Sequence, residues 1–238
     1  MPGMKPDRPV QHGLFITGTD TGIGKTVVGT SLVRALDQAG VNVQPRKPVE
    51  SGCLMQDGVL LPADGLAYRN ALRREMELDV ITPHRFAAAL APPAAARLEN
   101  KTISLAVLEA AVLQNLPDNC LCIAEGAGGF YSPIADDGLN ADLAQKLGWP
   151  ILLVAADRLG CINHVLLTLQ AIQQRNLDCP AVVLNRNDDM PRTAGMDNAA
   201  ELQRLISTPV FSVNYTESPF ADVDELLQHL QPVWGSSE

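Results

Sequence analysis

The stretch "FITGTDTGIGKT", Phe15 to Thr26, sets a lysine and a hydroxyl behind a glycine-containing turn, the residue types that hold a polyphosphate. An apolar strand, "LFIT", runs into the turn, and a helix opens with "GKTVV". In that context the N–H groups of the turn and of the first helical turn converge on an anion, and the helix dipole adds to the attraction. Lys25 would reach the β and γ phosphates, and Thr26 would offer its hydroxyl to Mg2+. The glycine spacing is unusual. Gly18 lies one residue too early for GxxxxGK[ST], and Thr19 fills the slot of the first glycine. Asp20 stands where a large group of related ATPases carries a second lysine, as in KGGxGKT. A carboxylate cannot stabilise γ-phosphate charge across a dimer as that lysine does, so the loop argues against a division-site or chromosome-partitioning ATPase.

Three more ionisable residues could share this site. Glu125 follows the apolar run "CLCIA" and precedes "GAGG", which puts it at the carboxyl end of a strand, where ligands gather in open α/β sheets and where Mg2+ could find a hard oxygen. Asp64, a lone acid in a polar patch, reads first as a helix N-cap. Lys47, in "RKPVESG", is either a surface lysine at a strand end or a group that holds a second anion or a transferred phosphoryl group beside the phosphate site. "GCIN", Gly160 to Asn163, opens a helix whose first N–H groups suit a carboxylate. The amide of Asn185 offers the donor and acceptor pair of an adenine edge.

The elements that must position these residues are short aliphatic runs alternating with helical patterns: "GLFITG", "NVQPRKPV", "CLCIAE", "PILLVAA", "AVVLN" and "VFSV". This predicts repeated βα units, a mostly parallel sheet with helices on both faces, and strands buried on both sides. Helices are expected over Lys25 to Ala39, stopped by Gly40, over Asn163 to Arg175, and at the terminus over Asp222 to Leu230. Gly52 to Asn100, rich in Pro and Ala, reads as an insertion in the same domain, with Asp64 to Glu75 helical. Residues 13–233 form the expected single domain, between loose tails at 1–12 and 234–238.

At 238 residues and 46% apolar content the chain can bury one large core. A net charge of -9 disfavours nucleic acid and anionic membrane surfaces as partners, and no apolar run approaches the ~18 residues of a membrane span. Cys53, Cys120, Cys122, Cys161 and Cys179 are odd in number and sit in apolar runs, as reduced thiols of a cytoplasmic protein do; the closest pair reads as core rather than zinc ligands.

Five blocks taken together, "TGTDTGIGKT", "KPVESG", "EGAGGFYSPI", "RLGCINH" and "VVLNRN", resemble the dethiobiotin synthetases, and they span most of the chain, from about residue 14 to 186. The resemblance implies a doubly wound α/β protein of the phosphate-loop NTPase class that works as a homodimer. It implies a ligase of biotin biosynthesis that joins 7,8-diaminononanoate and CO2, using ATP and Mg2+, and releases dethiobiotin, ADP and phosphate. Carried onto this chain, it puts the phosphate cradle on Gly22, Ile23, Gly24, Lys25, Thr26 and Val27, and the metal on Thr26, Asp64 and Glu125. Lys47 matches the lysine that binds the carbamate and the migrating phosphoryl group, Ser51 a substrate hydroxyl contact, and Thr21 a neighbour of the reacting oxygen. Gly126, Ala127 and Gly128 extend the nucleotide site, Gly128 also touching substrate, and Asn185 and Arg186 take the base. Gly160, Cys161, Ile162 and Asn163 receive the substrate carboxylate from the partner subunit, so Cys161 needs no thiol chemistry and His164 reads as structural. Asn214, Tyr215 and Thr216 match the family's base-binding segment loosely. Glu50 departs from the pattern, adding a carboxylate that would repel a carbamate unless it turned away.

Overall fold

A computed structural model describes residues 12–187, 194–215 and 223–233. β1 (His12–Gly18) passes through the glycine turn into α1 (Lys25–Gln38), and β2 (Val43–Arg46) follows. Next come β3 (Val49–Ser51), a hairpin of β4 (Leu54–Gln56) and β5 (Val59–Leu61), α2 (Ala63–Ala71), α3 (Leu78–Ile81), β6 (His84–Phe86), α4 (Pro92–Leu98) and α5 (Leu105–Leu113). The second half holds β7 (Leu121–Glu125), the pair β8 (Pro133–Ala135) and β9 (Gly138–Leu139), α6 (Asn140–Leu147), β10 (Ile151–Ala156) and α7 (Cys161–Gln174). It ends with β11 (Ala181–Asn187), α8 (Asn198–Leu205), β12 (Val210–Tyr215) and α9 (Asp224–Leu230).

The main sheet has the order β12-β11-β10-β1-β7-β2, and every pair in it is parallel. Its central strands are buried throughout, and their side chains alternate between two cores. Leu14, Ile16, Ile123, Leu152 and Val154 enter one core, while Phe15, Cys122, Ala124, Ile151 and Leu153 enter the other. From β1 the chain crosses through α1 to β2, beyond β7, whereas β10 lies on the other flank. The strand order therefore changes direction at the carboxyl end of β1, where open α/β sheets bind ligands.

The expected single strand "NVQPRKPV" is two. Pro48 has no N–H to donate and restricts Lys47 before it, so the ladder with β7 stops at Arg46; Val49–Ser51 leaves the sheet and pairs with β6 instead. Helix α2 ends at Ala71 rather than Glu75, and α7 starts at Cys161 rather than Asn163 because Gly160 already serves as its N-cap. The terminal helix starts at Asp224, and His12, expected in the tail, opens β1. The expected tails otherwise lie outside the described residues. All five cysteines are free, with Cys120 and Cys122 buried as core residues.

Candidate active site

The register of three parallel strands brings the chemistry together. Arg46 of β2 faces Ala124 of β7, and Ile16 of β1 faces Glu125, so Lys47, Glu125 and the glycine turn leave the sheet at one level. From above, α2 lies against α1 and lowers Asp64 and, one turn later, Tyr68 onto the same spot. Lys47 Nζ sits 2.5 Å from Glu125 Oε1, 2.7 Å from Asp64 Oδ2 and 3.2 Å from the Gly126 carbonyl. Thr26 Oγ1 is 2.8 Å from Asp64 Oδ1 and 3.0 Å from Glu125 Oε1, its single proton serving one at a time. Asp64, read first as an N-cap, stands instead at the second position of α2, behind the cap Pro62, so its carboxylate is free to reach across.

Two carboxylates converge here on one cation, the Lys47 ammonium, and the Thr26 hydroxyl lies within hydrogen-bond reach of both carboxylates. Burial pushes that ammonium down, but Glu125 and then Asp64 outweigh it and hold Lys47 above the ordinary lysine range. Asp64 is likewise raised by burial and lowered further by Lys47, so that it stays below the usual carboxylate value. A hard-oxygen set already gathered around a positive charge fits Mg2+, which takes one or two carboxylates and completes its shell with phosphate oxygens and water. Among the described residues no cluster of three or more His, Cys, Asp or Glu forms a protein-only metal cage.

Gly24 caps α1 with φ 92°, a left-handed conformation that glycine adopts without strain, and it turns the Lys25 and Thr26 side chains into the cavity. Lys25 Nζ folds back to donate to the Asp20 carbonyl at 2.9 Å. Burial lowers Lys25 to about 8, Glu125 opposing and Lys47 reinforcing the shift. Asn185 packs directly on Gly24, where a Cβ would come within 1.9 Å of its Nδ2. That Nδ2 lies 3.2 Å from the Ile23 carbonyl, and Oδ1 is buried without a hydrogen-bond partner. An orphaned acceptor beside a phosphate-type loop fits the amino group of a nucleotide base.

One cavity of about 430 Å³ is lined by Thr21, Gly22, Gly24, Lys25, Thr26, Val27, Lys47, Ser51, Asp64, Glu125, Ala127 and Gly128, all expected from the sequence, and by Glu50. Ile23 and Gly126 lie buried beside it. A second groove, about 370 Å³ and walled by Ala89, Leu90, Ala91 and Pro92, shares Thr21, Ser51, Ala127 and Gly128 with the first. Ser51 donates to the Leu90 carbonyl at 2.6 Å, tying the two together. Glu50 lines the cavity, but both oxygens of its carboxylate are engaged by the backbone N–H groups of Asp64 and Gly65 in α2. Arg186 points towards Asp157 at 3.8 Å, and Asn214 lines a separate hollow with Phe211 and Leu226. The Tyr215 side chain and Thr216 lie outside the described residues. Gly160, Cys161, Ile162 and Asn163 line neither the cavity nor the groove; Cys161 is buried, which raises its thiol, and His164 is exposed.

Two contributors escape a reading by motif. Asn140, wholly buried, holds the "GAGG" turn: its Oδ1 accepts from Ala127 N, and its Nδ2 lies 2.6 to 3.1 Å from the carbonyls of Ala127, Gly129 and Ser132. Tyr68 donates to Glu125 Oε2 at 2.7 Å, and only a glycine at position 29 leaves room, since a Cβ there would stand 1.9 Å from the Tyr68 oxygen. The spacing of Tyr68 four residues after Asp64 was the available signal. Tyr68→Phe should leave that buried carboxylate oxygen without its donor, at about 1–3 kcal/mol. Thermal melting in EDTA should drop by roughly 2–4 °C for each kcal/mol; an unchanged melt would mean that the phenol does not hold Glu125.

A family model described as an AAA domain matches residues 12–214. Curated ATP-dependent dethiobiotin synthetases BioD are similar over most of their length. That of Anaeromyxobacter dehalogenans strain 2CP-1 is 42% identical over 194 residues, 82% of this chain and 85% of the relative. That of Halalkalibacterium halodurans is 34% identical over 228 residues, 94% and 93%. The chain also bears a loose likeness to a solved structure, the septum site-determining protein MinD of Pyrococcus horikoshii complexed with Mg-ADP. The TM-score is 0.49 at 15% identity, covering 88% of this chain and 82% of that one. The curated relatives settle the family: this chain belongs to the ATP-dependent dethiobiotin synthetases, the ring-closing C–N ligases of biotin biosynthesis.

Proposed function

We propose that this enzyme carboxylates one amine of 7,8-diaminononanoate with CO2, passes the γ-phosphoryl of ATP to the carbamate oxygen, and closes the ureido ring when the second amine attacks and phosphate leaves. The bare carbamate has no adequate leaving group, which is why the phosphoryl transfer precedes closure. The observation that carries this reading is the junction of the charged cavity with the apolar-walled groove at Thr21, Ser51, Ala127 and Gly128. A polyphosphate in the first and an aliphatic diamine in the second would meet there.

Lys25 and the N–H groups of the turn hold the phosphates. Thr26, Asp64 and Glu125 would hold Mg2+, which when bound draws charge from the phosphate oxygens. Lys47, buried in the charged cavity, stabilises the negative charge on the carbamate and on the phosphoryl group as it moves, while the Ser51 hydroxyl contacts the substrate and Thr21 lies beside the reacting oxygen. The free Oδ1 of Asn185 accepts from the amino group of the base, and in this reading Arg186, Asn214, Tyr215 and Thr216 supply the remaining base contacts. The substrate carboxylate goes to the Gly160–Asn163 turn of a second copy. In support of a dimer, Leu159 is 83% exposed beside this turn, and Leu167 (58%) and Tyr131 (49%) line an uncharged hollow of about 620 Å³ along α7. Five free cysteines suit a reducing compartment, the cytoplasm.

The test is direct. Purified enzyme given 7,8-diaminononanoate, bicarbonate, MgCl2 and ATP should produce dethiobiotin, ADP and phosphate in equal amounts. ATP turnover indifferent to the diamine, with no dethiobiotin, would overturn the reading.

A further inference from the structure

Helix α2 starts without a cap of its own. Its N-cap is Pro62, and no side-chain hydrogen bond is made from that position. The N–H groups that a Ser, Thr, Asp or Asn cap would satisfy belong to the second and third helical residues, here Asp64 and Gly65. Glu50, 14 residues upstream of Asp64, takes both: its Oε1 accepts from Asp64 N at 3.0 Å and its Oε2 from Gly65 N at 3.1 Å. The carboxylate is buried and lies at the positive end of the helix dipole. It comes from β3, the short strand created when Pro48 turns the chain out of the main sheet. One backbone so held carries the Asp64 carboxylate that reaches Thr26 and Lys47.

We propose that Glu50 is a positioning residue, capping α2 from the strand beside it and so fixing Asp64 for the cation. The proposal rests on the reading of Asp64 as a Mg2+ ligand. Like charge cannot be the reason for this placement, because a carboxylate beside Asp64 repels it; the two N–H bonds are what the position gains. Glu50 thus stands to Asp64 as outer groups stand to metal ligands generally, orienting without touching the metal.

The discriminating measurement is ADP binding by calorimetry, with the full chain, in EDTA and across a Mg2+ titration. Glu50→Ala should raise the Mg2+ concentration needed to tighten ADP binding by about 10–100-fold, with ADP affinity in EDTA nearly unchanged. Glu50→Gln, which keeps one acceptor oxygen, should fall between, and it carries the test if the alanine variant does not fold. Adding Pro62→Ser to Glu50→Ala places a local acceptor at the N-cap and should restore most of the Mg2+ response. Failure of that rescue would mean that Glu50 acts through its charge, and the capping proposal falls. An equal loss of ADP binding in EDTA would reduce Glu50 to a fold-holding residue and also overturn it. Asp64→Asn separates the two readings: if it raises the Mg2+ requirement and Glu50→Ala does not, only the capping proposal fails. If neither does, the metal reading fails and takes the proposal with it.

Discussion

Lys47→Ala is expected to lower kcat by about a hundred- to a thousandfold while ADP affinity stays within a few-fold. The rate effect follows from where the ammonium sits. Lys47 is buried at the carboxyl end of the sheet, where it lines the charged cavity and its Nζ meets Glu125, Asp64 and the Gly126 carbonyl. A preorganised donor aimed at developing charge is typically worth about 3–4 kcal/mol of barrier. The nucleotide effect stays small because Lys25 and the turn, not Lys47, make the phosphate contacts in this reading. The variant should carry a second signature. Lys47 is the cation between Glu125 and Asp64, at 2.5 and 2.7 Å. Without it, the two carboxylates lose the cation between them, and breaking a buried pair of this kind costs about 3–5 kcal/mol, less here because Asp64 is half-buried. The melting temperature should therefore fall in EDTA and recover with Mg2+ by more than the unaltered protein gains. Equal losses of kcat and ADP affinity would place Lys47 on the nucleotide instead; a rate loss under about tenfold would make it peripheral.

Legibility in the sequence followed the range of the interactions. Strand β10 and helix α1 could be read because their signals are local, an unbroken aliphatic run and an i, i+4 stripe closed by Gly40. The phosphate loop was legible for the same reason, since strand, turn and helix are contiguous. The split at Pro48 was also written in the chain, in a residue that cannot continue a ladder, yet the apolar pattern on both sides of it masked the break. Long-range partners were a different matter. Asp64 sits in no motif; what makes it part of the site is α2 packing on α1, 38 residues away from Thr26 in sequence. Glu50 looked like a clash with a carbamate because its capping partners lie on an element whose place the sequence did not disclose. Asn140 and Tyr68 act on turns and carboxylates they reach only in three dimensions. Sequence spacing carries direction along one element, and these contacts depend on the angle between two.

Lys25→Ala should differ from Lys47→Ala on two counts: nucleotide affinity falls together with the rate, and the protein without nucleotide becomes more stable. The first half follows from its place at the start of α1, where it is the cavity lysine that belongs to the phosphate turn. The second half follows from its burial. Lys25 is 6% exposed, and its ammonium donates to the Asp20 backbone carbonyl. Burial brings it from 10.5 down to about 8. A lowered lysine value means that the folded state disfavours the charge: below pH 8 the charged form is carried at a cost, and that cost shrinks as pH rises towards 10.5 and vanishes above it. Each pKa unit corresponds to about 1.4 kcal/mol, so removing the charge should stabilise the protein by on the order of 1–3 kcal/mol at neutral pH. Lys25→Met, which keeps most of the aliphatic stem, should show the gain more fully than alanine. Melting curves in EDTA at pH 7 and pH 10.5 check the sign, the gain being present at the first and nearly absent at the second. A variant that melts lower at pH 7 would show that Lys25 is already well paired within the protein. A gain there, with ADP binding lost, would mean that this lysine is kept against the stability of the fold for a phosphate that arrives later.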